Sequence, residues 1–355
     1  MPLPSRSRTE PVVRTEGLSR AYRNGRRGTV RALDGLDLEI GPGEIFGFLG
    51  PNGAGKTTTL RLLTGLIRPT SGRGFLLGRP LGDPQARARI GFLPENPSFY
   101  DHLSLREFLR LCGALFGLGG RPLSARIDAL IERLGLVREA DRPMRRLSKG
   151  QAQRAGIAQS LVNEPAVLFL DEPMSGLDPI GRAEIRDVLL ELNARGTTVF
   201  FSSHILPDVE SICDRVGIIE SGRLRKIGCV DDLLATATHG YDIAAAGIAT
   251  GAVLGALPGV TARPAGDRVL LSVSEPGGLN EVLARVIAAG GRIESVTPRR
   301  QTLEEFFLRE VGAAARSAAT DAPADRTPRD AEAAGARTAR AATGDEAATA
   351  WRKAS

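Results

Sequence analysis

The chain has 355 residues, 42% hydrophobic and 25% charged, so it has room for two domains and must bury at least one sizeable core. Its formal charge of +6 comes from 47 basic residues, only four of them lysine, scattered without interleaved aromatics, which argues against a nucleic-acid surface. Cys112, Cys213 and Cys229 fall in no C-x-x-C spacing, which argues against a metal site and reads as buried thiols of a reducing compartment.

Residues 1–10 hold no apolar core, so they are no signal peptide and are expected to be disordered. From Val12 to about Gly228, short apolar strands alternate with helical segments, the pattern of an α/β fold with a mainly parallel sheet. The first clear strand, 44–50, runs into "GPNGAGKTTT" and then an apolar helix through Leu60, Leu62, Leu63 and Leu66. Gly50, Gly55, Lys56 and Thr57 satisfy G-x-x-x-x-G-K-[ST] in the strand-loop-helix context that motif needs. Glycines let backbone N–H groups converge on phosphate oxygens, and Lys56 brings positive charge to the β- and γ-phosphates. Thr57 offers a hydroxyl to Mg²⁺.

A strand is predicted at 89–94. Helical stretches at 104–117 and 122–136 then break the rhythm and point to a helical subdomain. In "RRLSKGQAQR", 145–154, Ser148 is a natural N-cap, and Ala155, Ala158, Leu161 and Val162 follow at helical spacing. Such a helix start can hold an anion, so the chain carries two of them. The strand 166–172 ends in Asp171 and Glu172 at the carboxyl edge of the sheet, where ligands of α/β sheets bind. Asp171 can hold Mg²⁺ through water, leaving Glu172 to polarise an attacking water. Strands at 197–203 and 215–222 complete the sheet.

From about Tyr241 the order becomes strand 241–247, helix 248–257, hairpin 260–274, helix 277–290 and strand 291–299, the βαββαβ order of a ferredoxin-like domain. The uncharged run 243–260 is mostly Ala, Gly and Thr with Pro258 inside, too weakly apolar for a membrane span. An amphipathic helix is predicted at 302–311. Beyond Val311 there is no Val, Leu, Ile or Phe, so the tail has almost nothing to bury and is expected to be disordered.

Together these motifs resemble the ATP-binding cassette (ABC) ATPases, over about Val12 to Leu234. "LSKGQ", 147–151, is similar to the family's signature segment, which usually reads LSGGQ. "SGLDP", 175–179, resembles its D-loop through Asp178, and "SSHILPDVE", 202–210, its switch region, with His204 sensing γ-phosphate. Tyr22 stands where the family stacks an aromatic ring on adenine, and Glu95 where it has its Q-loop glutamine. The resemblance implies an α/β P-loop NTPase of the ABC-ATPase fold: a mainly parallel sheet with antiparallel β and helical subdomains, plus a small α+β ferredoxin-like C-terminal domain. The implied organisation is a nucleotide-binding domain at 11–235, an accessory domain at 240–311 and a disordered tail at 312–355.

The same resemblance implies ATP and Mg²⁺ as cofactors, with catalytic roles for Glu172, His204 and Glu95. Nucleotide contacts would come from Tyr22, Gly50, Pro51, Asn52, Gly53, Ala54, Gly55, Lys56, Thr57 and Thr58, and from Ser148, Gly150, Gln151 and Asp178; Thr57 and Asp171 would serve the metal. Two departures stand out. Glu95 can accept from a metal-bound water but cannot donate. Lys149 stands where most relatives have Gly, and its ammonium favours a nearby triphosphate.

In the family the signature segment covers nucleotide held by a second copy, head to tail, which accounts for the two anion-binding helix starts. A second cassette is therefore an implied partner, and with no span in this chain a separate transmembrane permease is another. The expected place is cytoplasmic, peripheral on the inner or plasma membrane through that permease. "LPENPSFYDHLSLREFL" and "TPRRQTLEEFFLREV" look like the exporter branch, which includes drug-resistance and sodium-efflux ATPases. Phe99, Tyr100, Phe108 and Leu111 are then expected to face the permease. The alternative is a non-transport ABC ATPase with a regulatory, translation or DNA-maintenance role, and no nucleic acid is expected as a partner here. Such relatives usually carry two cassettes or long coiled-coil insertions, whereas this chain has one cassette and no sustained heptads.

Overall fold

A strand made of residues such as "IFGFL" or "VLFLD" is stable only where both sheet faces are covered. The computed structural model describes residues 10–23, 28–235, 238–248, 259–274, 278–300 and 302–303. Within them the chain runs β1 (Val13–Arg23), β2 (Thr29–Ile40), β3 (Ile45–Leu49), α1 (Lys56–Leu63), β4 (Ser71–Leu76), β5 (Arg79–Pro80), α2 (Pro84–Arg87) and β6 (Ile90–Leu93). Next come α3 (Leu105–Leu115), α4 (Gly120–Arg133), α5 (Lys149–Leu161), β7 (Val167–Asp171), α6 (Pro179–Ala194), β8 (Thr198–Ser203) and α7 (Leu206–Ile212). The rest is β9 (Arg215–Glu220), β10 (Arg223–Cys229), α8 (Val230–Ala235), β11 (Thr238–Ala246), β12 (Val260–Ala265), β13 (Arg268–Val273), α9 (Leu279–Ala288) and β14 (Arg292–Arg300).

The central sheet has the order β10-β9-β3-β8-β7-β6, parallel throughout except for the antiparallel edge strand β10. Alternation along these strands divides the core in two. Phe46, Phe48, Phe169 and Phe200 point to one face, where Phe200 lies 5.5 Å from Phe46 and 5.8 Å from Phe169, centroid to centroid. That face packs on the antiparallel sheet β2-β1-β4-β5, whose β2 alternates buried and exposed residues because only one of its sides is covered. Ile45, Leu49, Leu170 and Phe201 point the other way, into a core shared with α3, α4, α5 and α6. The first three of these helices occupy the two predicted helical stretches and the helix after Ser148. The second stretch begins ahead of Pro122, because a proline is accommodated in a first turn.

Phe108, expected to face a permease, is instead core: it is 6% exposed and meets Phe99 edge to face at 5.3 Å. Tyr100 (55%) and Leu111 (37%) do reach solvent, joined on the end of α3 by Leu115 and Phe116. A second correction concerns the cysteines. Cys213 is buried, but Cys112 is half-buried and Cys229 exposed. Burial pushes the Cys112 thiol up to about 11, which suits an inert packing residue.

In the C-terminal region four antiparallel strands lie in the order β14-β11-β13-β12, the fourth, first, third and second of that region, as in a ferredoxin-like sheet. Val282 and Val286 of α9 close its core against Ile243, Ala245 and Leu271. The helix predicted at 248–257 lies almost wholly outside the described residues, as do residues 1–9, the tail 312–355 and most of the helix 302–311. Among the described residues, no helix is long and apolar enough to cross a membrane.

Candidate functional site

β3 ends at Leu49, and the chain then turns through Gly50–Gly55 to start α1 at Lys56. Gly55 takes φ +113, and a Cβ there would lie 2.5 Å from the Ala32 carbonyl oxygen, so only glycine fits. Lys56 is 7% exposed. Its Nζ donates to the Gly50 carbonyl at 2.7 Å and lies 3.5 Å from Glu172 Oε1. A cleft of about 290 Å³ opens here, lined by Pro51, Asn52, Gly53, Gly55, Lys56, Thr57 and Thr58 from the loop. Glu95, Asp171, Glu172, His204 and Ala32 complete its walls. Gly50 and Ala54 shape the loop from behind: Gly50 through its bond to Lys56, and Ala54 through an N–H to Pro51 O and a carbonyl that accepts from Gly222 N.

The acidic pair sits at the end of β7, two strands from β3. Asp171 is 1% exposed; its Oδ1 accepts from Ser202 Oγ at 2.6 Å, and its Oδ2 has no hydrogen-bond partner among the described residues. A buried carboxylate oxygen without a donor among the described residues, in a cleft that Thr57 also lines, fits a hard divalent cation such as Mg²⁺. Glu172 takes φ +53, a left-handed conformation that costs a residue with a Cβ on the order of 1 kcal/mol or more. Its backbone N–H donates to Ser202 O at 3.2 Å and Ser202 Oγ at 3.1 Å, which holds the turn. The strained turn aims Glu172 Oε2 at His204, 2.8 Å from Nδ1.

Two buried residues escaped the sequence reading. Ser202 is paired in register with Asp171 on the neighbouring strand, and its signal was a hydroxyl directly after the "VFF" run, still within the strand. Gln153, on α5, donates to the carbonyls of Glu172 (3.4 Å) and Pro173 (3.0 Å), so the helix after Ser148 braces the acidic turn. Ser202→Ala is expected to lower stability by about 1.5–3 kcal/mol, the usual loss for a hydrogen bond to a charged group. It should also raise the Mg²⁺ concentration needed for half-maximal turnover. Urea unfolding and a Mg²⁺ titration check both; an unchanged variant in each contradicts the role given to Ser202.

Ser148, Gly150, Gln151 and Asp178 lie elsewhere. They line a separate cavity of about 600 Å³ together with Arg138, Glu139 and Arg154. Ser148 caps α5 as expected, and Gln151 completes a capping box, its Oε1 accepting from Ser148 N at 2.9 Å. Asp178 caps α6, accepting from Gly181 N at 2.8 Å. Tyr22 lines neither cavity. It is 36% exposed on β1, with the Arg20 guanidinium 4.7 Å over its ring.

A glycine-built phosphate loop opening a helix at the carboxyl edge of a parallel sheet, facing a buried acidic strand end, defines a P-loop nucleoside triphosphatase. The family described as ABC transporter matches residues 33–175. An uncharacterised ABC transporter ATP-binding protein of Nostoc is 44% identical over 322 residues, covering 85% of this chain and 90% of the relative. A daunorubicin resistance ATP-binding protein of Streptomyces coeruleorubidus is 39% identical, covering 85% of this chain and 96% of the relative. Among solved structures, an ATP-binding cassette in a dimeric post-hydrolysis state with ADP and Pi is 26% identical with a TM-score of 0.58, over 61% of this chain and 98% of that one. The chain belongs to the ABC transporter ATP-binding protein family.

Proposed function

We propose that this chain is the ATP-hydrolysing subunit of an exporter, driving a separate membrane permease by the head-to-tail closure of two cassettes on two ATP molecules. The observation that carries the reading is the separation of the two cavities. Lys56, Asp171 and Glu172 line one, whereas Ser148, Gly150, Gln151 and Asp178 line the other, so a second chain is needed to bring both sets to one nucleotide. The dimeric ADP-and-Pi cassette and the daunorubicin resistance relative support the dimer and the exporter reading respectively.

In this reading the loop N–H groups and Lys56 hold the β- and γ-phosphates, and Lys56 exchanges its contact with Gly50 O for phosphate oxygen. Thr57 and Asp171 hold Mg²⁺, which when bound neutralises charge building on the transferred phosphoryl group. Glu172 takes a proton from the attacking water at its carboxylate, and His204, 2.8 Å away, orients that carboxylate and faces the γ-phosphate. Glu95 accepts from water at the rim. The second chain supplies Ser148, Gly150 and Gln151 over the γ-phosphate, with Asp178 beside them; Tyr22 stacks on adenine.

The exposed apolar residues Tyr100, Leu111, Leu115 and Phe116 are the surface offered to the permease. The chain extracted from its native membrane in mild detergent should bring with it a polytopic protein. Leu111→Glu combined with Leu115→Glu should release that partner while leaving hydrolysis by the free cassette intact. Recovery of no membrane protein, or equal recovery with the double variant, contradicts this part of the reading.

A further inference from the structure

The two segments that matter to the proposed dimer, the loop ending in Asp178 and the segment holding His204, each lead directly into a helix, α6 and α7. One side chain joins them. Arg182, in the first turns of α6, donates through Nε to the Leu177 carbonyl at 3.3 Å, inside the "SGLDP" loop. The same guanidinium turns its Nη1 toward Asp208 of α7, 3.9 Å from Oδ2. Asp208 is 4% exposed, and its Oδ2 is a buried oxygen with no hydrogen-bond partner among the described residues. Its Oδ1 is already held by Arg186, one turn further along α6, at 3.3 Å. A buried carboxylate left half-satisfied is costly, and here the missing donor stands less than 1 Å beyond hydrogen-bonding range.

From Val209 onward α7 is packed closely on β3. Val209 and Cys213 lie against Gly47 of β3 so closely that a Cβ there would sit 2.7 Å from Val209 and 2.8 Å from Cys213. A shift of the Leu177–Asp178 loop is therefore transmitted to the start of α7, next to His204. From there it reaches Glu172 through the 2.8 Å contact between His204 Nδ1 and Glu172 Oε2. We infer that Arg182 and Asp208 are positioning residues that couple the loop facing the second cassette to the His204–Glu172 pair, closing their contact when that loop is engaged. This rests on the proposed composite site.

The test compares Asp208→Asn, Arg182→Gln and Arg182→Lys. Arg182 is partly exposed, so its variants are not expected to unfold the chain, and Arg182→Lys keeps the charge while losing the planar fork that spans both contacts. Each variant is expected to lower kcat roughly ten- to hundredfold, the order seen when catalytic groups are slightly misplaced, with KM for ATP within about twofold. The double variant Arg182→Gln with Asp208→Asn should be no worse than the poorer single one, because both remove one link. Added to Glu172→Gln, none should prevent ATP-driven dimerisation. A wild-type kcat in the Arg182 variants, a full rescue by lysine, or additive losses matched by falls in thermal midpoint each overturn the coupling and leave an ordinary ion pair. If Glu172→Gln alone fails to dimerise with ATP, the composite site itself fails, and the coupling with it.

Discussion

Glu172→Gln is expected to bind ATP while losing turnover by about 10²–10⁴-fold, the usual contribution of a positioned general base. Glutamine keeps the size of the side chain and can still bond to His204, so the turn held by Ser202 and Gln153 stays intact. What is lost is the carboxylate that receives the proton. With hydrolysis blocked and binding retained, ATP should hold two cassettes together, so size-exclusion chromatography in saturating ATP should show a dimer that the unmodified chain forms only transiently. A monomer with normal turnover contradicts both the base assignment and the closure.

Lys56→Ala is expected to act one step earlier. The ammonium is buried at the mouth of α1, with Glu172 Oε1 3.5 Å away as its only acidic neighbour among the ion pairs of the described residues. Removing it deletes a charge-assisted contact of about 1.5–3 kcal/mol, so nucleotide affinity should fall roughly ten- to hundredfold and turnover should be abolished. It also takes from Glu172 Oε1 the ammonium 3.5 Å away. Titration with nucleotide in the presence of Mg²⁺ measures the loss; unchanged affinity together with unchanged hydrolysis removes the phosphate-loop assignment.

Which parts of this arrangement were legible in the sequence follows from how local their causes are. The phosphate loop could be read because glycine, lysine and threonine act through a backbone turn that they themselves create. The acidic strand end could be read because two adjacent carboxylates closing an apolar run must emerge together at the carboxyl edge of the sheet, where ligands bind. Ser202 and Gln153 could not, since each acts on Asp171 or Glu172 across strands or from a helix some 20–30 residues distant, and a lone Ser or Gln carries no periodic signal. The same holds for Phe108, which the resemblance grouped with Leu111 as permease-facing, while Phe99 and the helical core decide which of them is covered. The antiparallel strands β1 and β2 are harder to read than the central strands because register shifts in their pairing interrupt the alternation.

The measurement that tests the composite site most directly uses two disabled variants. Ser148→Arg blocks the signature segment with bulk and charge, and Lys56→Ala empties the phosphate loop; each homodimer then has two defective sites. In a mixed dimer the intact loop of the first chain faces the intact signature segment of the second. Random association makes about half the dimers mixed, so roughly a quarter of all sites become sound. Trapping of nucleotide with Mg²⁺ and a γ-phosphate transition-state mimic is the readout, because turnover also depends on coupling between the two sites. The composite site predicts stable trapping in the mixture, near that quarter, and none in either variant alone. No trapping in mixed dimers verified by differential tags means that each chain completes its own site, and contradicts the account.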